Sequence, residues 1–192
     1  TRRTILSTLA AIYDPMGFAA PLVLQAKLIF QELCGRSCTW DEEVPSDIRS
    51  RFLRWLAELV KVQQVAVERC QKPNFDVLRI EIHHFADAST TAFAACSYLR
   101  FVGTDGEIYV SLVIGKCKVV PLKPVFTVPR LELMAGVLAC RLALMCRQEI
   151  PWKMEEYFWT DSTVVLGYVK NISARFKVFV ANRVQFIHSV SK

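Results

Sequence analysis

The chain begins with apolar residues at helical spacing. Residues 21–33 (PLVLQAKLIFQEL) predict a helix that carries Pro21 in its first turn, where a proline is tolerated. Residues 48–62 predict a second amphipathic helix. The two helices indicate a small helical segment within residues 1–70, and the polar stretch at residues 71–76 (QKPNFD) is typical of a linker.

After the linker the period of the pattern changes from helical to alternating. Leu78, Ile80 and Ile82 alternate with polar residues and predict a strand that ends at Asp87. The rest of the chain predicts six more elements: strands over 91–100, 107–118 and 155–160, and helices over about 128–148, 162–170 and 176–189. This order predicts an α/β fold with a mixed sheet and flanking helices.

Composition adds three constraints. Hydrophobic residues make up 53% of the 192 residues, which is enough for a substantial core. The net charge of +6 suits a polyanionic partner. The longest weakly charged run, residues 5–25, is interrupted by Asp14, Pro15, Gly17 and Pro21, so no membrane span is expected. Since it begins at Thr1 without a methionine, we expect the chain to be a piece of a longer protein.

The seven cysteines predict a reducing, intracellular setting. Their number is odd, and most lie within apolar runs, where a reduced cysteine behaves as a small hydrophobe. Cys34 and Cys38 have the spacing of half a zinc site, but no second pair of ligands follows, so zinc is not expected.

Three acids have positions that would let them meet. Asp87 and Asp161 each end a predicted strand, and Glu132 falls in the first turn of the long predicted helix. Taken singly, Asp87 suits a turn, Glu132 suits a helix start and Asp161 suits a helix cap, and these structural interpretations remain open. If the two strands are neighbours, however, both aspartates emerge at the same edge of the sheet.

The long helix carries a stripe of small residues that would let it approach the sheet. We expect Gly136, Ala139 or Cys140, and Ala143 to face the strands and bring Glu132 towards the two aspartates. The opposite flank of the helix is then predicted to be apolar, formed by Leu131, Met134, Leu138, Leu142 and Met145.

Three carboxylates held together would repel one another and raise their pKa values, unless a cation joins them. Mg²⁺ prefers such oxygen ligands, and two ions about 4 Å apart support phosphodiester hydrolysis by activating a water and stabilising the leaving oxygen. The three acids therefore favour a nuclease.

The segments around these acids resemble a known family. FADAS (85–89), RLELMAGVLA (130–139) and WTDSTVVL (159–166) are similar to the acidic motifs of the ribonuclease H fold. Residues 1–33, 111–133 and 176–184 resemble polyproteins of Bel/Pao-type LTR retrotransposons, and the resemblance covers essentially the whole chain.

The resemblance implies an organisation and an activity. Residues 1–70 would be the thumb or connection tail of a reverse transcriptase, and residues 77–192 a ribonuclease H-like domain that lacks its last strand and helix. Asp87, Glu132 and Asp161 would be catalytic and would hold two Mg²⁺ or Mn²⁺ ions that serve hydrolysis of the RNA strand of RNA–DNA hybrids.

The resemblance also implies partners, a location and a missing acid. The partners would be an RNA–DNA hybrid, an upstream reverse transcriptase and a downstream integrase, with no membrane. The location would be a cytoplasmic virus-like particle, with a nuclear phase allowed. The family's fourth acid is expected beyond Lys192, so we expect little activity from this chain alone.

Several residues are candidates for nucleic-acid contact. The basic ones are expected in the loop that leads to Glu132, and two serines flank the aspartates. Further basic residues would extend this track: Lys170, Arg175, Lys177 and Arg183. The candidates are Ser89, Lys116, Lys118, Lys123, Arg130 and Ser162.

Two alternatives stay open from sequence. The family is often catalogued as a Pao retrotransposon peptidase, but an aspartic peptidase needs Asp-Thr/Ser-Gly, and residues 87–89 and 161–163 have no glycine. The other alternative is a non-catalytic domain that binds nucleic acid or acts as a scaffold. Such a domain would bind hybrid whether or not Mg²⁺ is present.

Overall fold

Four strands form one mixed sheet in the computed structural model, which describes residues 1–171, 173 and 175–191. The sheet has the order β3-β2-β1-β4; β1 is antiparallel to β2, β2 is antiparallel to β3, and β4 is parallel to β1. The strands are β1 (Val77–Ala88), β2 (Ala92–Gly103), β3 (Ile108–Val119) and β4 (Glu155–Thr160). The predicted α/β fold with a mixed sheet and flanking helices is confirmed.

Alternation along β1 separates the two faces of the sheet. Ile82 and Ala86 are buried in the main core, whereas Phe85 lies on the other face and is 41% exposed. We call this other face the aromatic face, because it carries a group of stacked or edge-on rings: His83, Phe85, Tyr98, Tyr157 and Trp159.

Three helices pack on the core face. They are α4 (Val128–Glu149), α5 (Thr163–Lys170) and α6 (Val178–Val190). α4 connects β3 to β4, the two outer strands of the sheet, and on its way lies across β1 and β2. Because α4 is buried on two sides, it contributes residues both to the core against the sheet and to a second cluster with α5 and α6.

The prediction that the small-residue stripe of α4 faces the sheet was correct for Ala139 but wrong for Gly136, Cys140 and Ala143. Cys140 and Ala143 pack in the cluster with α5 and α6, and a Cβ added at Gly136 would lie 3.4 Å from Ile187 Cδ1. The core against the sheet instead contains four of the five residues predicted for the opposite flank: Leu131, Met134, Leu138 and Leu142. Ala135, Ala139 and Cys146 complete this stripe of α4. A small-residue stripe permits a close approach but does not specify the partner.

The N-terminal segment contains three helices: α1 (Arg2–Ala10), α2 (Ala20–Gly35) and α3 (Ser46–Lys61). α1 was not predicted as a helix; Thr1 caps it by accepting a hydrogen bond from the Thr4 N–H. The three helices share one apolar cluster, in which Trp55 Nε1 donates to Leu22 O at 2.8 Å.

Residues 65–76 run without helix or strand between a short 3₁₀ turn (Val62–Gln64) and β1. α2 also contacts β3 directly, so the N-terminal helices and the sheet touch. The division of the chain at residues 71–76 stays a prediction. Within the described residues, no helix combines the length and apolar character needed to cross a membrane.

Candidate metal centre

The three acids predicted from sequence lie together at one edge of the sheet. Ala86 is paired with Thr160 across the parallel strands, so Asp87 and Asp161 emerge side by side immediately after that pair. α4 brings Glu132 to the same place. Each of the three carboxylates offers one oxygen, and these oxygens all lie within 4.8 Å of one another.

The purely structural interpretations account for only part of this arrangement. The cap of α5 is Ser162, whose Oγ accepts from the Val165 N–H at 3.3 Å, and not Asp161. Glu132 is the fifth residue of α4 and lies beyond the first turn in which it was expected. Asp87 does have a local bond, because its Oδ1 accepts from the Ala88 N–H at 2.7 Å.

Glu132 is the electrostatically unusual member of the group. It is only 9% exposed, and its buried Oε2 has no hydrogen-bond partner among the described residues. Burial raises the pKa of Glu132, and the nearby charges of Asp161 and Asp87 raise it further. An orphaned buried oxygen beside two exposed carboxylates is a donor set that fits a hard divalent cation such as Mg²⁺ or Mn²⁺.

The predicted basic residues are distributed differently from the expectation. Lys116 and Lys118 lie within β3 and not in the loop, and Lys116 Nζ donates to Pro15 O at 3.1 Å. Lys123 does lie in the loop and is exposed. Arg130 is exposed at the start of α4, with its guanidinium carbon 5.1 Å from the centre of the Phe179 ring.

Both predicted serines serve local structure. Ser89 Oγ accepts from the N–H groups of Thr91 and Ala92 in the turn between β1 and β2. Ser162 caps α5, as described above. Both nonetheless lie within two residues of an acid of the metal centre.

A basic cleft lies where α4 and α6 begin. It encloses about 680 Å³ and is lined by Arg130, Arg175 and Lys177 together with Thr127 and Phe179. Arg175 and Lys177 were predicted as basic contacts, but their proximity to Arg130 was not predicted, because the two helices begin far apart along the chain. We call this cleft the basic cleft.

A second cleft lies between the aromatic face and the start of α2, and sequence analysis did not predict it. It encloses about 730 Å³ and is mostly apolar, with Phe85 and Trp159 on the sheet side and Phe18 and Leu24 on the helix side. Asp87 and Asp161 also line it. We call this cleft the aromatic cleft.

Comparison with known proteins identifies the family. The model of the family described as "Pao retrotransposon-like RNaseH-like domain" matches residues 1–162. No curated protein matches the chain. Several solved structures are also similar, and the two described next have TM-scores too low to add to the assignment.

The first of these structures is RNase H1 from the halophilic archaeon Halobacterium salinarum NRC-1, with 13% identity over 58% of this chain and 76% of that chain and a TM-score of 0.34. The second is a foamy viral protease-reverse transcriptase in complex with dsDNA, with 14% identity over 97% of this chain and 36% of that chain and a TM-score of 0.33. On the family match, which extends over most of its length, this chain belongs to the Pao retrotransposon-like RNaseH-like domain family.

Proposed function

We propose that this chain is the nuclease part of a retrotransposon polyprotein and that it hydrolyses the RNA strand of RNA–DNA hybrids with the help of divalent metal ions. The observation that carries the proposal is the convergence of Asp87, Glu132 and Asp161 within 4.8 Å, with a buried Glu132 oxygen that lacks a partner. Membership of an RNaseH-like family supports it.

Asp87, Glu132 and Asp161 would hold the ions and would also be the catalytic residues. When bound, one or two Mg²⁺ or Mn²⁺ ions supply an activated water and stabilise the leaving oxygen. The two aspartates define the sheet side of the centre, and the bond from Ala88 N–H orients Asp87. Glu132 reaches the centre from α4, on the core face of the sheet. Because Glu132 is buried, its carboxylate would attract a bound cation more strongly than an exposed one would.

Phosphate contacts would orient the substrate. Arg130 and Glu132 both lie near the start of α4, so a duplex placed at the metal centre would have phosphates within the range of the basic cleft further along its backbone. Lys123 on the preceding loop, and the edge formed by Lys116 and Lys118, would extend the positive surface. Ser89 and Ser162 would contact the strand only at the margin, because their hydroxyls already serve the backbone.

The wider setting follows from the family and is part of the proposal. A reverse transcriptase would precede the nuclease in the polyprotein and an integrase would follow it, in a cytoplasmic virus-like particle. Residues 1–70 would belong to the reverse transcriptase side.

The deciding experiment has two readouts. Titration of the chain with Mg²⁺ should change its tryptophan fluorescence in a saturable way, because one of its four tryptophans, Trp159, lies two residues before Asp161. Cleavage of a labelled RNA–DNA hybrid, compared with duplex DNA and duplex RNA, should require the metal and prefer the hybrid. Since a fourth acid is expected beyond Lys192, cleavage is measured in a chain that continues past that residue. Absence of both metal binding and hybrid cleavage contradicts the proposal.

A non-catalytic binding domain is the second candidate. The basic cleft favours it, because its cationic side chains are not part of the acid cluster. This candidate predicts that hybrid affinity is the same with and without Mg²⁺ and that Asp87→Asn binds hybrid with unchanged affinity. Metal-dependent cleavage that is lost in Asp87→Asn rules it out.

Loss of charge from the basic cleft should weaken hybrid binding in a salt-dependent way. Each phosphate contact removed lowers the slope of log affinity against log salt concentration by about 0.9, so Arg130→Ala with Lys177→Ala should lower it by about 1.8. The slope is measured by fluorescence anisotropy with a labelled hybrid. An unchanged slope removes the basic cleft from the interface.

The matched control is Lys72→Ala with Lys153→Ala. These lysines are also exposed and line a cleft, but that cleft lies where β1 and β4 begin, at the opposite end of the strands from the metal centre. The control removes the same charge and should leave the slope unchanged.

A further inference from the structure

The loop between α1 and α2 has a defined shape. Asp14 holds it by accepting three backbone hydrogen bonds: Oδ1 accepts from the N–H groups of Gly17 and Phe18 at 3.0 Å each, and Oδ2 accepts from the Ala19 N–H at 2.9 Å. Gly17 has a φ of +80°, a conformation that glycine adopts without strain. The loop therefore enters α2 in one orientation.

This loop is joined to the edge strand β3. The Gly115 N–H donates to Met16 O at 2.7 Å, and Lys116 Nζ donates to Pro15 O. The approach is so close that a Cβ at Gly17 would lie 1.9 Å from Gly115 O. Only a glycine fits at position 17, because any other residue would be strained at this positive φ and its Cβ would clash with Gly115 O. We call this contact the glycine joint.

A second bond holds α2 against the same strand edge. Gln31 Nε2 donates to Val120 O at 2.6 Å, just past the end of β3. An unpaired strand edge is prone to pair with other chains, so these contacts also protect β3. The glycine joint and Gln31 fix the position of α2 relative to the sheet.

The glycine joint determines the shape of the aromatic cleft. Phe18 follows Gly17 directly, is 43% exposed and lines the cleft together with Leu24. Across the cleft, the rings of Phe85 and Trp159 lie nearly parallel, with centroids 6.1 Å apart and an interplanar angle of 13°, and Trp159 is 50% exposed. The same cleft reaches Asp87 and Asp161.

We infer that the loop at residues 14–19 is a specificity-determining part of the nuclease site, in which Phe18 contacts the nucleic-acid strand beside the acids and the glycine joint holds Phe18 in place. The inference rests on the proposed function. Flat, exposed rings bind bases and sugars by stacking, and a cleft that ends at a carboxylate cluster places the adjoining phosphate at the metal centre. The N-terminal helices would thus form a wall of the active site.

The first test breaks the glycine joint. Gly17→Ala places a methyl group against Gly115 O, so the loop should move away from β3 and the Gly115 amide should exchange its hydrogen faster. Hybrid affinity should also fall by about tenfold, the size of effect expected from losing the aromatic contact of Phe18 with the nucleic acid. The control is Gly106→Ala. Gly106 also has a positive φ, +83°, but nothing lies within 4 Å of an added Cβ, so neither readout should change beyond a small loss of stability.

The second test changes the wall without changing the joint. Phe18→Ala should lower hybrid affinity by about the same factor and broaden the distribution of cleavage products, while exchange at Gly115 stays normal; Phe18→Tyr should restore the affinity. A residue that only supports the fold would not be restored in this way at unchanged stability.

The outcomes separate this inference from the proposed function. Faster exchange in Gly17→Ala together with unchanged hybrid affinity in both Gly17→Ala and Phe18→Ala shows that the wall only packs, and overturns the inference while metal-dependent cleavage still stands. Unchanged exchange in Gly17→Ala also overturns it. If the unaltered chain neither binds Mg²⁺ nor binds hybrid, the proposed function fails and the inference fails with it.

Discussion

Asp161→Asn should lower the rate of metal-dependent hybrid cleavage by about 10³-fold, because a metal centre supplies several kcal/mol of transition-state stabilisation and this change removes one of its anionic ligands. Asparagine has nearly the same shape, so the loss comes from charge. Asp161 emerges beside Asp87 and carries an oxygen within 4.8 Å of those of the other two acids. The rate is measured with a labelled hybrid in a chain that continues past Lys192, and Mg²⁺ affinity is measured in the chain itself.

Two control variants separate chemistry from folding. Asp105→Asn makes the same change in the exposed turn between β2 and β3, far from the centre, and should leave both readouts unchanged. Ser162→Ala removes the cap of α5 and should cost about 1 kcal/mol of stability, with at most a small loss of cleavage because Ser162 contacts the strand only at the margin. If Asp161→Asn keeps cleavage within tenfold of the original rate, the three acids are not the catalytic centre.

The alternation of residues predicted the sheet well because each strand has one buried face and one aromatic or polar face. The pattern before Asp87 and before Asp161 marked two strand ends. Two further strands and a helix lie between them in the chain, so the pattern alone did not show that the two strands are neighbours. Once β1 and β4 are parallel neighbours, the register that pairs Ala86 with Thr160 places both aspartates at one height. Their convergence was therefore predictable from sequence only on the condition that these two strands are neighbours, which the sheet order supplies.

Other features depend on contacts that no local pattern records. α4 is apolar on two sides, and each side mixes small and large residues: Ala139 packs against the sheet, whereas Leu133 packs in the cluster with α5 and α6. The periodicity therefore predicted two apolar faces but not which element each face contacts. The glycine joint links positions 17 and 115, and neither glycine is distinctive in its own segment. The basic cleft likewise forms only when the starts of α4 and α6 meet.

Glu132→Gln should raise the stability of the metal-free protein at neutral pH, by on the order of 1 kcal/mol. The folded state raises the pKa of Glu132, first through burial and then through the charges of Asp161 and Asp87. The folded protein therefore holds this proton more tightly than the unfolded chain does. Stability is favoured below the ordinary pKa of a glutamate and declines as pH rises through the raised pKa, where the buried carboxylate must ionise. Glutamine cannot ionise, so this decline should disappear.

Glu149→Gln is the matched control, because it makes the same change on the same helix at an exposed residue that lies outside the acid cluster. Stability is measured by urea unfolding at several pH values in a chelating buffer.

Saturating Mg²⁺ should reverse the order of the two proteins. A ligand that binds only the folded state adds about 2.7 kcal/mol at a concentration of 100 times its Kd, and the original chain gains this while Glu132→Gln gains much less. Glu132 would then destabilise the metal-free protein and stabilise the metal-bound protein. A bound cation would both coordinate the unpartnered Oε2 and offset the repulsion between Glu132 and the two aspartates. A structural glutamate would not show this change of sign. If Glu132→Gln is less stable than the original chain both with and without metal, Glu132 has only a structural role and the three acids do not form a metal centre.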